Sequence, residues 1–387
     1  MRSTSRIVTA AAVGSLLVSG SQFSAQAKVA HATMPTVTVV ASGLDNPRGI
    51  TWAHDHLYIT QAGHGGTDCP TGAVGPAGGP LCVGRTGSLG ILKHGVVTPV
   101  LSNLISLSDV PGGLASLGIA AVTATTNGVR AVYSESVVGV LDSLPDRNAL
   151  TPSDSAALRG ELGKLITVSN GHSKTLADVG DWDYVWTAIH QDLVPDQYPD
   201  SNPNALVQLG NTTYVADAGA NTLVAVDRRG GVRELAFFPN PPAADAVPTC
   251  VAIGPDHKNL FIGQLSPGAP MGGSNIYRYN INSHQLSVWK TGFNVVDGCG
   301  FDNRGNFYVV EFQANGFNPG PTGNPAGDVI KIAPNGTRTV LGAGQLFFPQ
   351  GFATDHSGNI YVSNWSIFPA TPAAPMQPTG QVVKITM

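Results

Sequence analysis

The sequence predicts an all-β fold, a six-bladed β-propeller with four-stranded blades, and two observations predict it. The first is a repeated unit of an apolar stretch, a polar turn containing Gly and an alternating strand, seen most clearly in residues 351–364. Such a unit is typical of a β-hairpin. The second is a match between residues 38–47, near the N-terminus, and residues 339–349, which precede the last copy of the unit. A ring closed by the N-terminal strand explains both observations.

Each copy of the unit predicts the first two strands of one blade. In chain order, the six copies lie in residues 48–60, 117–133, 204–217, 251–263, 299–310 and 351–364. The first five are followed by a second hairpin, in residues 87–101, 163–179, 222–238, 275–290 and 327–341. The sixth is followed by a single strand, Gln381–Thr386, so we expect Val37–Ser42 to supply the missing outer strand of that blade.

Long connections distinguish this chain from compact propellers. Four of them follow a second strand and should rise from the same face of the ring: Gln61–Arg85, Ser266–Ser274, Gln313–Ala326 and Ser366–Gly380. Two more, residues 134–161 and 182–199, flank the divergent second blade. Thr151 followed by Pro152 is a typical start of a helix, so residues 151–161 are predicted to form a short helix, the only sizeable one.

The first 27 residues are typical of a secretory signal peptide. Arg2 and Arg6 precede an apolar run over residues 7–18, and Ala25-Gln26-Ala27 matches a processing site. The run is too short to cross a bilayer core of ~30 Å. We therefore expect residues 1–27 to be removed, residues 28–387 to form one propeller domain, and the mature protein to be secreted.

The charge balance argues against some partners. Lys and Arg number 21 against 25 Asp and Glu, a net charge of −4, and charged residues are only 12% of the chain. Such a surface lacks the basic patches that bind nucleic acid. We expect an extracellular protein or small molecule as partner, no nucleic acid, no membrane span and a monomer.

Several segments resemble one family of secreted bacterial proteins. They are residues 67–70 with 81–88, residues 200–205, residues 214–223, residues 247–257 and residues 292–297, and they resemble the ScyD/ScyE family. Within them, residues 214–227 are similar to the NHL repeat. The resemblance implies a six-bladed propeller outside the cytoplasm, and it implies no settled activity. The chain departs from the family pattern at His257, where Gly is expected, and throughout the second blade.

The four cysteines favour disulfides in an exported protein, and four cysteines allow three connectivities. Cys69 and Cys82 lie in one loop rich in Gly and Pro, so a link between them is favoured. Cys250 and Cys299 occupy nearly equivalent positions in the first strands of two neighbouring blades. They form either a bridge between these blades or two buried free thiols.

Most candidate site residues follow the second strands, where equivalent positions converge on the axis of a propeller, whereas Asp200 and Asn202 lie in a segment that leads into a first strand. The oxygen-bearing side chains among them suit Ca²⁺, which makes calcium a candidate cofactor, although none is assigned. Asp217, Asn221 and Asn364 also have an alternative role as caps of turns. The candidate ligand-binding or metal residues are Asp217, Asn221, Glu311, Asn364, His64, Asp200 and Asn202.

Two functions are consistent with these residues. The first is a non-enzymatic binding scaffold that holds a protein or small molecule at the loop-decorated face. The alternative is a calcium-dependent hydrolase or lactonase with Asp217, Glu311 and Asn364 as ligands. The sequence has no G-x-S-x-G or H-E-x-x-H motif. Catalytic residues are therefore not assigned, and whether the protein is an enzyme stays open.

Overall fold

The computed structural model describes residues 35–387 except 77, 110–111, 196, 241–244, 319–322 and 372–377. The signal peptide expected in residues 1–27 lies outside the described residues. Within the described part of the chain, no helix is long and apolar enough to cross a membrane.

Antiparallel β strands dominate the structure. The first, β1, spans Thr36–Leu44. The next eight form one continuous sheet in chain order: β2 (Pro47–Ala53), β3 (His56–Gln61), β4 (Leu81–Lys93), β5 (Val96–Asp109), β6 (Leu117–Thr125), β7 (Gly128–Tyr133), β8 (Lys164–Ser169) and β9 (His172–Asp178).

The remaining strands form four-stranded sheets, here called blades. Three blades follow chain order: β10 (Pro203–Leu209), β11 (Thr212–Asp217), β12 (Thr222–Val226) and β13 (Val232–Phe237); β14 (Pro248–Ile253), β15 (Asn259–Gln264), β16 (Ser274–Asn280) and β17 (Leu286–Phe293); β18 (Val296–Phe301), β19 (Phe307–Glu311), β20 (Ala326–Ile332) and β21 (Arg338–Phe347). The fourth blade joins the two ends of the described chain, in the order β1, β24 (Gly380–Thr386), β23 (Ile360–Asn364) and β22 (Phe352–Thr354).

The described residues therefore form four separate blades rather than the six expected. The difference arises in β5, which was expected to end near Leu101 but continues to Asp109. Its last part pairs with β4 on one side and with β6 on the other, where Ser106 faces Gly118 and Leu107 faces Leu117. These two pairs join β2–β5 and β6–β9 into one sheet.

The N-terminal strand lies beside the last strand of the chain. Thr36 faces Thr386 and Ser42 faces Gln381 in an antiparallel pair, with irregularities near Val39 and Ser42. The segments Val37–Ser42 and Gln381–Thr386 are therefore neighbours, as the sequence match between residues 38–47 and 339–349 predicts.

Three helices lie beside the eight-stranded sheet: α1 (Val137–Ser143), α2 (Pro152–Glu161) and α3 (Val179–Ile189). The predicted helix is confirmed as α2, and the Thr151 side chain accepts a hydrogen bond from the Asp154 backbone N–H. The expectation that it is the only sizeable helix is wrong, because α3 is longer. Asp178 ends β9 and its side chain also accepts a bond from the Asp181 N–H, so the strand passes directly into the helix.

The apolar core lies between neighbouring sheets. Between the first two blades in chain order, Leu223 and Leu260 are both fully buried in one cluster, and similar clusters fill the other gaps. The favoured Cys69–Cys82 disulfide is confirmed within one connection, and Cys250 and Cys299 form the bridge, the first of their two alternatives, between β14 and β18. The second bridge links two adjacent blades covalently through the first strand of each.

Candidate functional site

The first strand of each four-stranded unit is here called its inner strand, and most inner strands have a bulge near their start. The pairing shifts register after Pro47, Ile119, Pro203, Pro248 and Val296, at the start of β2, β6, β10, β14 and β18. A bulge leaves one residue unpaired and re-aims its side chain. The residues at these bulges, with the equivalent residue before β22, are Arg48, Ala120, Asn204, Thr249, Asp297 and Gln350.

Four of these side chains and the backbone carbonyl of Thr249 form a hydrogen-bonded group, here called the axial cluster: Arg48, Asn204, Thr249, Asp297 and Gln350. Arg48 Nη1 donates to Gln350 Oε1 at 3.2 Å, and Gln350 Nε2 donates to Asp297 Oδ1 at 3.4 Å. Asn204 also hydrogen-bonds the Asp297 side chain, and its Nδ2 donates to the Thr249 carbonyl at 3.2 Å. The cluster thus connects the inner segments of four blades and of the eight-stranded sheet.

Two cavities adjoin the axial cluster. One, of about 80 Å³, is lined by residues of all six inner segments, including Asn204, Thr249, Asp297 and Gln350. The other, of about 70 Å³, is lined by Arg48, Ser116, Ser134, Asn202 and Asn204, among others. Asn204 lines both. Each cavity exceeds the ~10–15 Å³ that one water molecule needs.

Burial controls the charge of the cluster. It raises the pKa of Asp297 to about 8, although the Arg48 guanidinium opposes the rise. Burial also lowers the pKa of Arg48, but a guanidinium stays protonated in proteins. Among the residues that the structure describes, no carboxylate lies within 4.0 Å of that guanidinium. Near neutral pH the cluster therefore carries a positive charge that its own carboxyl does not neutralise.

Three of the predicted site residues lie together at the start of β10 and the end of β11. The buried Asp217 carboxylate accepts bonds from Ser201 Oγ at 2.7 Å and from the Asn202 N–H at 2.6 Å. It also accepts bonds from the Gly219 and Ala220 N–H groups. Asp200 is close enough for the negative charge of Asp217 to raise its pKa, after burial, to about 6. Asp217 therefore ties a turn to a strand, as the capping alternative describes.

Two acidic residues that were not predicted from the sequence adjoin this group. Burial, followed by the charges of Asp200 and Asp217, raises the pKa of Glu135 to about 8. Asp183 on α3 is fully buried, and burial followed by Asp217 raises its pKa strongly. No sequence pattern marks either residue, because both lie in the divergent region whose strands and helix were assigned least well.

The other predicted oxygen ligands each hold a connection that enters an inner strand. The Val247, Asn294 and Phe347 N–H groups donate at 2.7 Å to side-chain oxygens of Asn221, Glu311 and Asn364, respectively. Gln61 does the same for the Asp45 N–H at 2.8 Å. These side chains therefore serve similar backbone contacts in different sheets and do not converge with Asp217.

His64 is held apart from these groups, in the connection after β3. Its Nδ1 lies 2.5 Å from Asp45 Oδ2, and its side chain is 45% exposed. The hydrogen bond to Asp45 raises the pKa of His64 above its usual value, although partial burial opposes the rise.

No protein-family model matches this chain, and neither does any curated protein. A solved structure of a protein of unknown function from Bacteroides thetaiotaomicron matches with a TM-score of 0.53 at 9% identity, over 91% of this chain and 75% of the other. This chain folds as a β-propeller. Regucalcin from Agrobacterium tumefaciens, a calcium-binding protein, has a TM-score of 0.49 at 11% identity, over 90% of this chain and 92% of the other. A gluconolactonase from Xanthomonas campestris also has a TM-score of 0.49 at 11% identity, over 91% and 89%.

The arrangement of the antiparallel sheets, whose first strands line one common cavity, is that of a β-propeller. The ScyD/ScyE family is not shown by the comparisons and stays a resemblance.

The described residues do not fit a calcium ion, the candidate cofactor, at the predicted ligands. Asp217 already accepts four hydrogen bonds, and Glu311 and Asn364 each accept one from a backbone N–H in a different part of the ring. Within the described ranges, no three His, Cys, Asp or Glu side chains are grouped so as to hold a metal.

The axial cluster of this propeller was not predicted from the sequence. A signal for it does exist, because Arg48, Asp297 and Gln350 each directly precede a Gly in a first strand. Candidates were sought instead at the ends of second strands, where polar residues are more numerous. The bulges that turn the first-strand residues toward the axis have no signature in single-strand periodicity.

Proposed function

We propose that this chain is a secreted six-bladed β-propeller of the ScyD/ScyE type that binds a small hydroxycarboxylic acid beside the axial cluster. In this proposal β2–β5 and β6–β9 count as two blades, because only two residue pairs join them. β1 closes the ring as the outer strand of the last blade. The two disulfides support an extracellular location.

The observation that carries the proposal is the guanidinium of Arg48 in the cavity of about 70 Å³. It has no carboxylate within ion-pair distance among the described residues, and a planar guanidinium binds a carboxylate through two parallel hydrogen bonds. Buried charges are normally paired, so the position favours an anion from outside the chain.

The same cavity also favours a hydroxyl group on the ligand. Asn202 lines it, and the buried Asn202 Oδ1 has no hydrogen-bond partner among the residues that the structure describes. An orphaned buried acceptor is costly, and a ligand O–H would satisfy it. A short hydroxy acid such as lactate therefore matches both Arg48 and Asn202 better than acetate does.

Isothermal titration of the purified protein with lactate, glycolate and acetate tests the proposal. Lactate and glycolate should bind more tightly than acetate, and Arg48→Gln should weaken lactate binding about 10- to 100-fold, the loss of one charged hydrogen-bonding partner. Arg304→Gln, which removes a positive charge from an exposed turn between β18 and β19, is the matched control and should bind normally. If wild type binds none of these acids, or if Arg48→Gln folds and binds lactate normally, the proposed function is wrong.

The calcium-dependent hydrolase or lactonase alternative has a separate test. Metal analysis of protein purified without chelator should find no stoichiometric divalent ion, because the described residues do not fit one. One calcium ion per chain, with lactone hydrolysis that EDTA abolishes, would instead establish the alternative and its ligands Asp217, Glu311 and Asn364.

A further inference from the structure

The Asp45–His64 pair is a second group of interacting side chains, and it shares no residue with the axial cluster. Asp45 precedes β2 by two residues, and His64 follows β3 by three. The 2.5 Å contact joins Asp45 Oδ2 to Nδ1 of the imidazole, and no other hydrogen bond to the ring is found among the described residues. Nε2 is therefore left unbonded on a ring that is almost half exposed.

Both partners are held firmly by backbone and side-chain contacts. Asp45 Oδ1 accepts a hydrogen bond from the Ala370 N–H at 3.0 Å, which fixes the carboxylate. The His64 N–H donates to Thr86 Oγ1 at 2.8 Å. These two contacts hold the Asp45 carboxylate and the His64 backbone in place beside each other.

The glycines around His64 are required by the same packing. Gly63 has a φ of +83°, and a Cβ there would lie 2.5 Å from Thr86 Oγ1 and 2.7 Å from the Gly87 nitrogen. Gly65 has a φ of +72°, and its Cβ would lie 2.7 Å from the Cys82 carbonyl oxygen. The connection is therefore pressed against β4, and the Cys69–Cys82 disulfide fastens it further along. The chain holds this imidazole on a rigid support.

This arrangement is suited to acid–base chemistry. A carboxylate on Nδ1 fixes the tautomer and orientation of the imidazole and stabilises its protonated form, while Nε2 exchanges the proton with the reacting group. The hydrogen bond to Asp45 raises the pKa of His64 above its usual value, which makes Nε2 a stronger base.

We propose that His64, positioned by Asp45, is the general base of a metal-independent esterase activity toward small activated esters and lactones. No Ser, Thr or Cys side chain hydrogen-bonds Nε2 among the described residues, so the nucleophile is water. Nε2 takes a proton from water as the oxygen bonds to the ester carbonyl carbon. The tetrahedral adduct then breaks its bond to the alcohol oxygen, which takes the proton from Nε2 and leaves as the alcohol. The acid is the other product, and His64 returns to its neutral form.

Hydrolysis of p-nitrophenyl acetate and of δ-valerolactone by the full mature chain tests this proposal, with EDTA present to exclude metal-dependent turnover. His64→Gln should lower the second-order rate constant about 100-fold or to the background level, as expected for the loss of a general base. His356→Gln is the matched control, because His356 also lies near an aspartate, Asp55 at 3.6 Å, but is 82% exposed. Its rate should equal that of wild type.

Asp45 acts through His64, so the Asp45 variant is tested by the pH dependence of the rate. A purely structural role of Asp45 would not change that dependence. Asp45→Asn should shift the midpoint of the pH–rate profile to lower pH, because it removes the carboxylate that raises the pKa of His64. Asp45→Glu should restore part of the shift. The midpoint should match the His64 pKa measured by NMR in the same samples.

Equal rates for wild type and a natively folded His64→Gln would overturn the esterase proposal. So would the absence of hydrolysis above background in wild type. Lactate binding is measured separately and depends on Arg48, so failure of the esterase leaves the proposed binding function standing, and the reverse also holds.

Discussion

At the scale of single residues, burial in this protein raises the pKa of several carboxyl groups to neutral pH or above. Burial raises the pKa of Asp297 to about 8, that of Glu135 to about 8 and that of Glu311 to about 7. In the unfolded chain these groups ionise near pH 4. The folded state therefore binds protons that the unfolded state has released, and stability is lost as pH rises from about 4 to about 8.

Thermal melting should show this loss directly. We expect the melting temperature of wild type to fall steadily between pH 5 and pH 8. Asp297→Asn keeps the hydrogen-bond acceptor for Gln350 but cannot ionise, so its melting temperature should fall less over the same range. Asp256→Asn, at an exposed turn where hydrogen bonds lower the pKa of the aspartate, is the control and should keep the wild-type slope. Parallel curves for wild type and Asp297→Asn would contradict the assignment.

At the scale of elements, the two disulfides close chain segments of different length. Cys69–Cys82 closes 13 residues in the connection between β3 and β4, whereas Cys250–Cys299 closes 49 residues and joins β14 to β18. In the chain-entropy account, a cross-link restricts the unfolded state more when it closes a longer loop.

Removing each bridge should therefore give unequal losses of stability. The double variant Cys69→Ala with Cys82→Ala should lower the free energy of unfolding by up to ~3 kcal/mol, and Cys250→Ala with Cys299→Ala by about 1 kcal/mol more. Denaturant unfolding of both variants beside wild type measures the difference. A larger loss for the Cys69–Cys82 variant would show that native packing of the β3–β4 connection outweighs chain entropy.

At the scale of the whole molecule, one blade joins the first and the last strand of the described residues. β1 covers the edge of β24, and Ala41 and Leu44 are buried against its neighbours. Without β1, the backbone N–H and C=O groups along one side of β24 would lose their partners, and an exposed edge strand promotes aggregation.

A chain that begins at Gly43, and so lacks most of β1, should accordingly melt at lower temperature and aggregate, as measured by scanning calorimetry and size-exclusion chromatography. A chain that begins at Pro35 keeps β1 intact, is the matched control and should behave like the longer chain. A shortened protein that stayed monomeric and melted at the unchanged temperature would show that β1 does not hold the ring closed.

The sequence by itself determined the repeating hairpins, the place of the N-terminal strand and the Cys69–Cys82 link, because these follow from local periodicity, from matches between segments and from the closeness of two cysteines in one loop. The positions of the bulges, and so the meeting of Arg48, Asp297 and Gln350, were decided only by the tertiary structure. A bulge depends on how two strands pair, and its residues look like any other strand start in the sequence. The same is true of the joined sheet β2–β9 and of α3, since the pairing of β5 with β6 and the packing of a short apolar segment depend on neighbours that are distant along the chain.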